Sequence, residues 1–174
     1  RLPELVDGDV PLYVMTRDLM EQAVGFDLHR GVVASATRRD ALSIEQLAAS
    51  DARRIVVLVG LNDAENVGVI ARAARAFAMD AIVLDPTCTD PYSRRTVRVS
   101  MGEVLHLPIA RATAWPTALQ TLHAVGFESW AMTPSHDAID LWSVAPSALP
   151  DRLAIVLGAE GPGLDEATLR AANR

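Results

Sequence analysis

Two short apolar runs, each followed by a Gly-containing loop, constrain the fold of this chain more than any other feature. Residues 55–60 read IVVLVG and lead into NDAENVG at 62–68, and residues 153–157 read LAIVL and lead into GAEGPG at 158–163. Short β-branched runs that end at Gly are typical of buried parallel strands. Because ligands bind at the carboxyl ends of the strands in an open α/β sheet, the two loops predict one shared site.

Predicted strands and helices alternate along most of the chain, which predicts an α/β fold with a parallel sheet and helices on both faces. Asn66 is predicted to cap the helix that follows the first loop. The Pro- and Ser-containing connection at 133–150 is too long for a simple turn and is predicted to be a lid or binding loop. The further predicted strands are 81–86, 105–110 and 127–132, and the predicted helices are 67–77, 92–99, 116–125 and 164–172.

The first fifty residues have a different pattern, with a strand-like piece at 12–15, a helix at 17–24 and an Arg-containing connector. We expect residues 1–45 to be the last part of a smaller N-terminal domain plus a linker, and residues 46–174 to be the main domain. The boundary is expected near residues 38–52.

Composition excludes several kinds of chemistry. All 16 basic residues among the 174 are Arg, so a Walker-type phosphate loop and a Schiff-base lysine are both excluded. The single cysteine, Cys88, cannot form an intramolecular disulfide and is predicted to be a small buried hydrophobe. The four histidines show no metal-ligand spacing, so no metal site is predicted and His29, His106, His123 and His136 are expected to be structural.

Net charge and hydropathy indicate which partners and which cellular compartment to expect. A net charge of −6 argues against broad nonspecific binding to nucleic acid, although Arg94, Arg95 and Arg98 could form a local basic patch. The alternative is a solvated helix face. No apolar run is long enough to span a bilayer and no signal-peptide pattern is present, so a cytoplasmic protein is expected.

Features that the two loops lack limit the class of ligand that they could bind. Neither loop matches the dinucleotide pattern GxGxxG, and the carboxylate of Glu160 would repel a pyrophosphate, so a cationic or neutral nucleoside is favoured. Structural alternatives remain open at this stage. Gly158, Gly161 and Gly163 could merely supply positive φ angles, and the Glu160 carboxylate could be satisfied by backbone N–H groups.

Several segments resemble the SpoU/TrmH family of RNA ribose 2′-O-methyltransferases, which belong to the SPOUT class with its trefoil-knotted α/β fold. They are NVGVIAR at 66–72, the region 90–108 and LGAEGPGL at 157–164. The segment 24–31 is similar to the family's junction between its substrate and catalytic domains. The family's third motif is not found, and the chain starts with Arg1, so we expect a part of a longer protein whose knot segment is truncated at the C-terminus. Ala159 stands where many relatives have Asn.

The resemblance implies S-adenosylmethionine as cofactor, with Leu157, Gly158, Gly161, Thr133 and Pro134 around it. It also implies catalytic roles for Asn66, Arg72 and Glu160. The family's Arg is proposed as a base, but a guanidinium stays protonated at neutral pH, so a clamp for phosphate and for developing alkoxide charge suits Arg72 better. Asn66 would orient Arg72 or the ribose, and Glu160 would hold either of them.

The expected partners are rRNA or tRNA and a second copy of the chain, with the RNA groove crossing both subunits. Arg94, Arg95, Arg98 and Ser100 are the candidate RNA contacts, the arginines through phosphates. Trp115, Trp130 and Trp142 are expected to be core or dimer-interface anchors. A non-catalytic RNA- or ribosome-binding protein with the same fold is the alternative function, and a Rossmann-like oxidoreductase ranks last because it needs a pyrophosphate loop.

Overall fold

The structure is a computed structural model that describes residues 9–28 and 31–174. The chain divides into two compact units, Arg1–Thr37 and Arg38–Arg174. In the first unit, helix α1 (Arg17–Val24) ends at Gly25, which adopts a left-handed conformation with φ 73°. The strand predicted at 12–15 is wrong, because these residues pair with no strand in the described part of the chain. His29 lies outside the described residues, as does part of the 24–31 resemblance.

The second unit contains a five-stranded sheet in the order β3-β2-β1-β5-β4, and every neighbouring pair is parallel. The predicted parallel α/β fold is confirmed. The strands are β1 (Arg54–Val59), β2 (Ala81–Leu84), β3 (Ile109–Arg111), β4 (Phe127–Ala131) and β5 (Arg152–Gly158). The helices are α2 (Ile44–Ala48), α3 (Ala64–Ala76), α4 (Arg94–Val99), α5 (Ala118–Ala124) and α6 (Glu166–Ala171).

Each face of the sheet is covered by its own apolar cluster. Along β1, Ile55 and Val57 join the cluster that includes residues of α2 and α5. Val56 and Leu58 point the other way and join the cluster that includes residues of α3. This alternation follows from the two-residue period of a strand, and burying each such side chain contributes about 1.5–3 kcal/mol. Helices on both faces of the sheet are therefore confirmed.

Two predicted boundaries are wrong for identifiable reasons. Helix α3 starts at Ala64 and is capped by Asp63, whose carboxylate accepts the N–H of Glu65 at 2.8 Å. Asn66 therefore lies in the first turn and is not the cap. The strand predicted at 105–110 starts later than expected. Residues Glu103–His106 form a 3₁₀ helix, because Val104 packs into the apolar cluster beneath α3, and β3 begins only at Ile109.

The connection at 133–150 contains two short 3₁₀ helices, Leu141–Ser143 and Pro146–Ala148, and its role as a lid stays a prediction. Trp142 in this segment is 95% exposed and is not a core residue, whereas Trp130 is 4% exposed. Trp115 packs against the core and its Nε1 donates to Thr168 Oγ1 at 2.8 Å.

None of the helices described in the two units is long and apolar enough to cross a membrane.

Candidate functional site

The two Gly-containing loops leave the same edge of the sheet. β1 and β5 are parallel neighbours, and their last paired residues are Val59 and Gly158. The loop from β1 to α3 and the loop from β5 to α6 therefore start side by side at the carboxyl ends of the central strands. Their polar side chains face each other across a cleft.

Close backbone approach shapes the β5–α6 loop. The N–H of Gly163 donates to the carbonyl of Ala159 at 3.0 Å, which folds the loop back over Gly158. A Cβ on Gly158 would lie 2.4 Å from the carbonyl carbon of Gly163 and 2.6 Å from the nitrogen of Leu164. Gly161 and Gly163 have φ angles of 90° and 68°. The expectation of a positive φ angle is thus correct for Gly161 and Gly163 and wrong for Gly158. Glycine is required at position 158 because the backbone leaves no space for a Cβ there.

The β1–α3 loop is held by side chains and by the contact between α3 and α4. A Cβ on Gly68 would lie 2.8 Å from Val99 Cβ and 2.9 Å from the Thr96 carbonyl oxygen, so glycine lets the two helices touch. The Thr96 hydroxyl donates to the carbonyl of Ala64 at 3.2 Å. The start of α3 is therefore fixed to α4.

The cleft between the loops has a polar and an apolar half. Asn66 and Glu160 line both halves, and Asn66 Nδ2 donates to Glu160 Oε2 at 3.4 Å. The polar half has a volume of about 320 Å³ and is completed by Leu61, Asn62, Asp63, Ala159 and Gly161. The apolar half has a volume of about 190 Å³ and is completed by Leu61, Val69, Ile70 and Gly158.

Acidic side chains give the cleft its electrostatic character. The carboxylates of Asp63 and Glu160 line its polar half, which favours a cationic or neutral ligand over an anionic one. Within the described chain no backbone N–H donates to the Glu160 carboxylate, so its partner is the Asn66 amide. Sequence reasoning missed Asn62, Val69 and Ile70, although the i, i+3, i+4 spacing from Asn66 places the last two on one helix face.

Arg72 is exposed on α3, six residues after Asn66. Six residues rotate a helix by about 600°, so the two side chains point in directions about 120° apart. No ion pair or hydrogen bond joins Arg72 to Asn66 or Glu160 in the described parts of the chain. The structure therefore brings Asn66 and Glu160 together and leaves Arg72 on the neighbouring surface.

Comparison with known proteins decides the family. The SpoU rRNA Methylase family matches residues 53–174. An uncharacterized tRNA/rRNA methyltransferase of Mycobacterium bovis is 45% identical over an alignment of 174 positions that covers 98% of this chain and 60% of that protein. This chain belongs to the SpoU rRNA methylase family.

Two other rRNA methyltransferases are also similar to this chain. The 23S rRNA (guanosine(2553)-2′-O)-methyltransferase RlmP of Bacillus subtilis is 24% identical, over 97% of this chain and 64% of that protein. The AdoMet-bound rRNA methyltransferase from Sinorhizobium meliloti superposes with a TM-score of 0.68 at 27% identity, covering 77% of this chain and 50% of that one. The chain spans 60% and 64% of the length of the two curated relatives named here.

The residues expected around a SpoU cofactor lie at one edge of the sheet but line separate hollows. Gly158 and Gly161 line the cleft, and Leu157 is half-buried against the core. Thr133 and Pro134 follow β4 and line a hollow of about 530 Å³ with residues of the 133–150 connection. The N–H of Met132 donates to the carbonyl of Val156 at 2.9 Å, which keeps the end of β4 beside β5.

The candidate RNA contacts divide into surface and interior residues. Arg94, Arg95 and Arg98 are exposed on α4, and Arg95 forms an ion pair with Glu65. Ser100 is fully buried, and its hydroxyl donates to the carbonyl of Val97 at 3.0 Å. This hydroxyl closes the end of α4, so the proposed RNA contact of Ser100 is not supported.

Two other predictions concern titratable groups. Cys88 is buried as predicted, and burial raises the pKa of its thiol to about 12. His123 Nε2 lies 2.7 Å from Ser129 Oγ, and burial lowers the pKa of this imidazole, as suits a structural residue. His106 and His136 are exposed. Across residues 9–28 and 31–174, no three His, Cys, Asp or Glu side chains come together as a metal site.

Proposed function

We propose that this chain is the catalytic part of an enzyme that methylates a ribose 2′-hydroxyl in rRNA or tRNA with S-adenosylmethionine as donor. The observation that carries the proposal is the Asn66–Glu160 contact, which joins the two family motifs across a cleft with polar and apolar halves. The names of the relatives, the 2′-O-methyltransferase of Bacillus subtilis among them, support the same activity.

The cleft residues fit such a donor. The apolar half beside Ile70 suits a nucleoside base, and the carboxylate of Glu160 complements a cationic sulfonium. Leu157, Gly158 and Gly161 would hold the donor largely through their backbone, with Thr133 and Pro134 beside them. S-adenosylmethionine, when bound, would supply a methyl group activated by the positive charge on its sulfur.

The protein's own part in the reaction is positioning and charge stabilisation. Glu160 holds the Asn66 amide, which is then directed at the ribose. Arg72 on the adjacent surface clamps an RNA phosphate and stabilises negative charge that develops on the 2′-oxygen while the hydroxyl proton passes to solvent water, and its fork of donors is well suited to both tasks. Aligning the hydroxyl with the methyl group accounts for most of the rate enhancement in this proposal.

The remaining assignments complete the proposal. Residues 1–45 would belong to an RNA-recognition domain plus linker, and residues 46–174 to the catalytic domain. Arg94, Arg95 and Arg98 would contact RNA phosphates. The protein would act as a homodimer in the cytoplasm, where rRNA and tRNA are found.

Replacing Arg72 by Lys tests the clamp. Lys keeps the positive charge but loses the fork, so we expect reduced but measurable methyl transfer with RNA affinity retained. Complete inactivity with intact RNA affinity would contradict a charge clamp. Arg53→Lys is the matched control, because Arg53 lies at the amino end of β1, away from the cleft at the carboxyl ends, and it should leave the rate unchanged.

Calorimetry with the full-length protein tests the cleft. Glu160→Gln keeps an acceptor for Asn66 but removes the charge, so we expect S-adenosylmethionine to bind more weakly while neutral S-adenosylhomocysteine binds as before. Equal weakening of both ligands would mean that Glu160 only shapes the loop. If the unaltered protein binds neither ligand, the proposal of an enzyme is wrong and the alternative, a non-catalytic RNA-binding protein, is favoured.

A further inference from the structure

A second set of charged residues lies where the chain enters the second unit, outside the cleft. We call residues 38–42 the edge segment. The N–H of Leu42 donates to the carbonyl of Ile109 at 2.8 Å, and the N–H of Arg111 donates to the carbonyl of Leu42 at 3.2 Å. Leu42 thus extends the sheet beyond β3 and fixes one end of the edge segment.

Arg38 fixes the other end of the edge segment. Its Nη2 donates to Asp90 Oδ2 at 2.6 Å, and its guanidinium carbon lies 5.9 Å from the centre of the Tyr92 ring, within cation–π range. The other oxygen of Asp90 accepts the N–H of Tyr92 at 3.0 Å. One carboxylate therefore joins the edge segment to the loop that leads into α4.

The loop from β2 to α4 is itself firmly held. The guanidinium of Arg111 donates to the carbonyls of Asp85, Cys88 and Thr89 at 3.2, 3.0 and 3.0 Å. The carboxylate of Asp85 is buried and accepts the N–H of Cys88 at 2.9 Å. The edge segment and α4 consequently keep a fixed relation to each other.

The edge segment adds the two positive charges of Arg38 and Arg39, against one carboxylate of its own at Asp40, to the side of the molecule that carries α4. Arg39 directly follows Arg38 and is exposed. Burial raises the pKa of the Tyr92 hydroxyl, and the positive charges of Arg39 and Arg38 act against this rise. The Arg38 side chain is 61% exposed despite its ion pair and keeps donors for a further partner. In a chain of net charge −6, this clustering of arginines runs against the overall balance.

We propose that the edge segment and α4 form one RNA-binding surface, in which Arg39 and Arg98 contact phosphates and Asp90 holds Arg38 in place. This inference rests on the proposed function, because the partner is its RNA substrate. Phosphate contacts carry no sequence information, so this surface orients the RNA and does not select the nucleotide. Because α4 packs against Gly68 of α3, the helix that carries Asn66, the surface and the cleft are joined through the contact between these two helices.

The salt dependence of RNA binding tests this surface. Labelled bulk tRNA is a sufficient probe because phosphate contacts are sequence-independent, and its affinity for the full-length protein is measured between 50 and 200 mM KCl. Each lost phosphate contact should remove about a threefold change in affinity over roughly that range. We expect Arg39→Gln and Arg98→Gln each to reduce the slope of the logarithm of affinity against the logarithm of salt concentration by this amount. The double variant should reduce that slope by twice as much. Arg53→Gln, with the same loss of charge at the amino end of the central strand β1, should keep the original slope.

Asp90→Asn separates position from charge. It raises the net charge by one, so a simple charge effect would tighten RNA binding, whereas loss of the position of Arg38 weakens it, as we expect. An Arg39→Gln variant with the original slope would overturn the role of the edge segment. If Arg98→Gln lowers the slope in that same experiment, the proposed function stands. If the unaltered protein binds no RNA at 50 mM KCl, both the inference and the proposed function fail.

Discussion

The two loops of the cleft are held in place by different kinds of contact. The β5–α6 loop is held by backbone, with Gly158 pressed against Gly163 and a hydrogen bond from Gly163 to Ala159. The β1–α3 loop is held by side chains, through the Asp63 cap and the contact of α3 with α4. Substitutions should therefore disrupt the first loop most where an added Cβ meets backbone, at Gly158, and the second only where a particular side chain is lost or a helix contact is blocked.

Gly158→Ala should have the largest effect. The new Cβ would meet backbone atoms at 2.4–2.6 Å, which cannot rotate away, so we expect a loss of about 3 kcal/mol in the free energy of unfolding and no measurable binding of S-adenosylmethionine. Gly161→Ala is the control, because its Cβ meets nothing within 4 Å and only its φ of 90° is strained, at about 1–2 kcal/mol. Urea unfolding and calorimetry measure both variants, and equal costs would contradict the backbone account of this loop.

Gly68→Ala tests the helix contact behind the other loop. Its Cβ would lie 2.8 Å from Val99 Cβ, and we expect α3 and α4 to separate slightly at a cost of about 2 kcal/mol. Hydrogen exchange should show faster opening of α4 as well as of α3. Unchanged protection of α4 would mean that the two helices are not coupled at this contact.

Cys88→Ala tests the neighbouring β2–α4 loop, which is also held by buried groups. The thiol pKa is about 12 in the folded chain and 9.0 when exposed, so the folded state retains a proton that the unfolded state loses as pH rises above 9. The free energy of unfolding should therefore fall, relative to Cys88→Ala, by about 1.4 kcal/mol between pH 8 and pH 10. Parallel pH profiles for the two proteins would show that the Cys88 thiol ionises normally in the folded chain.

Asp63→Ala should have the smallest effect on stability. It removes the α3 cap, and we expect a loss of about 1 kcal/mol, most of which Asp63→Ser should restore. Thermal unfolding of the three proteins measures this order. If Asp63→Ser is as unstable as Asp63→Ala, the carboxylate matters through its charge in the cleft and not through capping.

The sequence predicted the elements that follow simple periodicity. β1 and β5 are apolar after their first residue, an Arg in each strand, and their pairing at the centre of the sheet follows from burial on both faces. The prediction of a strand over the whole of 105–110 was wrong. The apolar side chains of Val104 and Leu107 pack beneath α3 and do not belong to a strand. Asp63 competed with Asn66 as helix cap, and composition alone could not choose between them.

The candidate site was predicted less completely than the fold. The two motifs identified Asn66 and Glu160, which touch, but the exposure of Arg72 and the burial of Ser100 depend on how α3 and α4 face their neighbours. The link from Arg38 to Asp90 joins residues 52 positions apart, and no local pattern encodes it. Side-chain partners at such separations follow from tertiary packing alone.

Locating the transferred methyl group tests the central claim most directly. The full-length protein would be incubated with tritiated S-adenosylmethionine and with rRNA or tRNA, and the RNA would then be digested with alkali. Alkaline cleavage needs a free 2′-hydroxyl, so a 2′-O-methylated nucleotide remains in an uncleaved dinucleotide. We expect the label in dinucleotides, and its loss when Asn66 is replaced by Ala. Label in mononucleotides, or RNA without label, would contradict ribose methylation in this cleft.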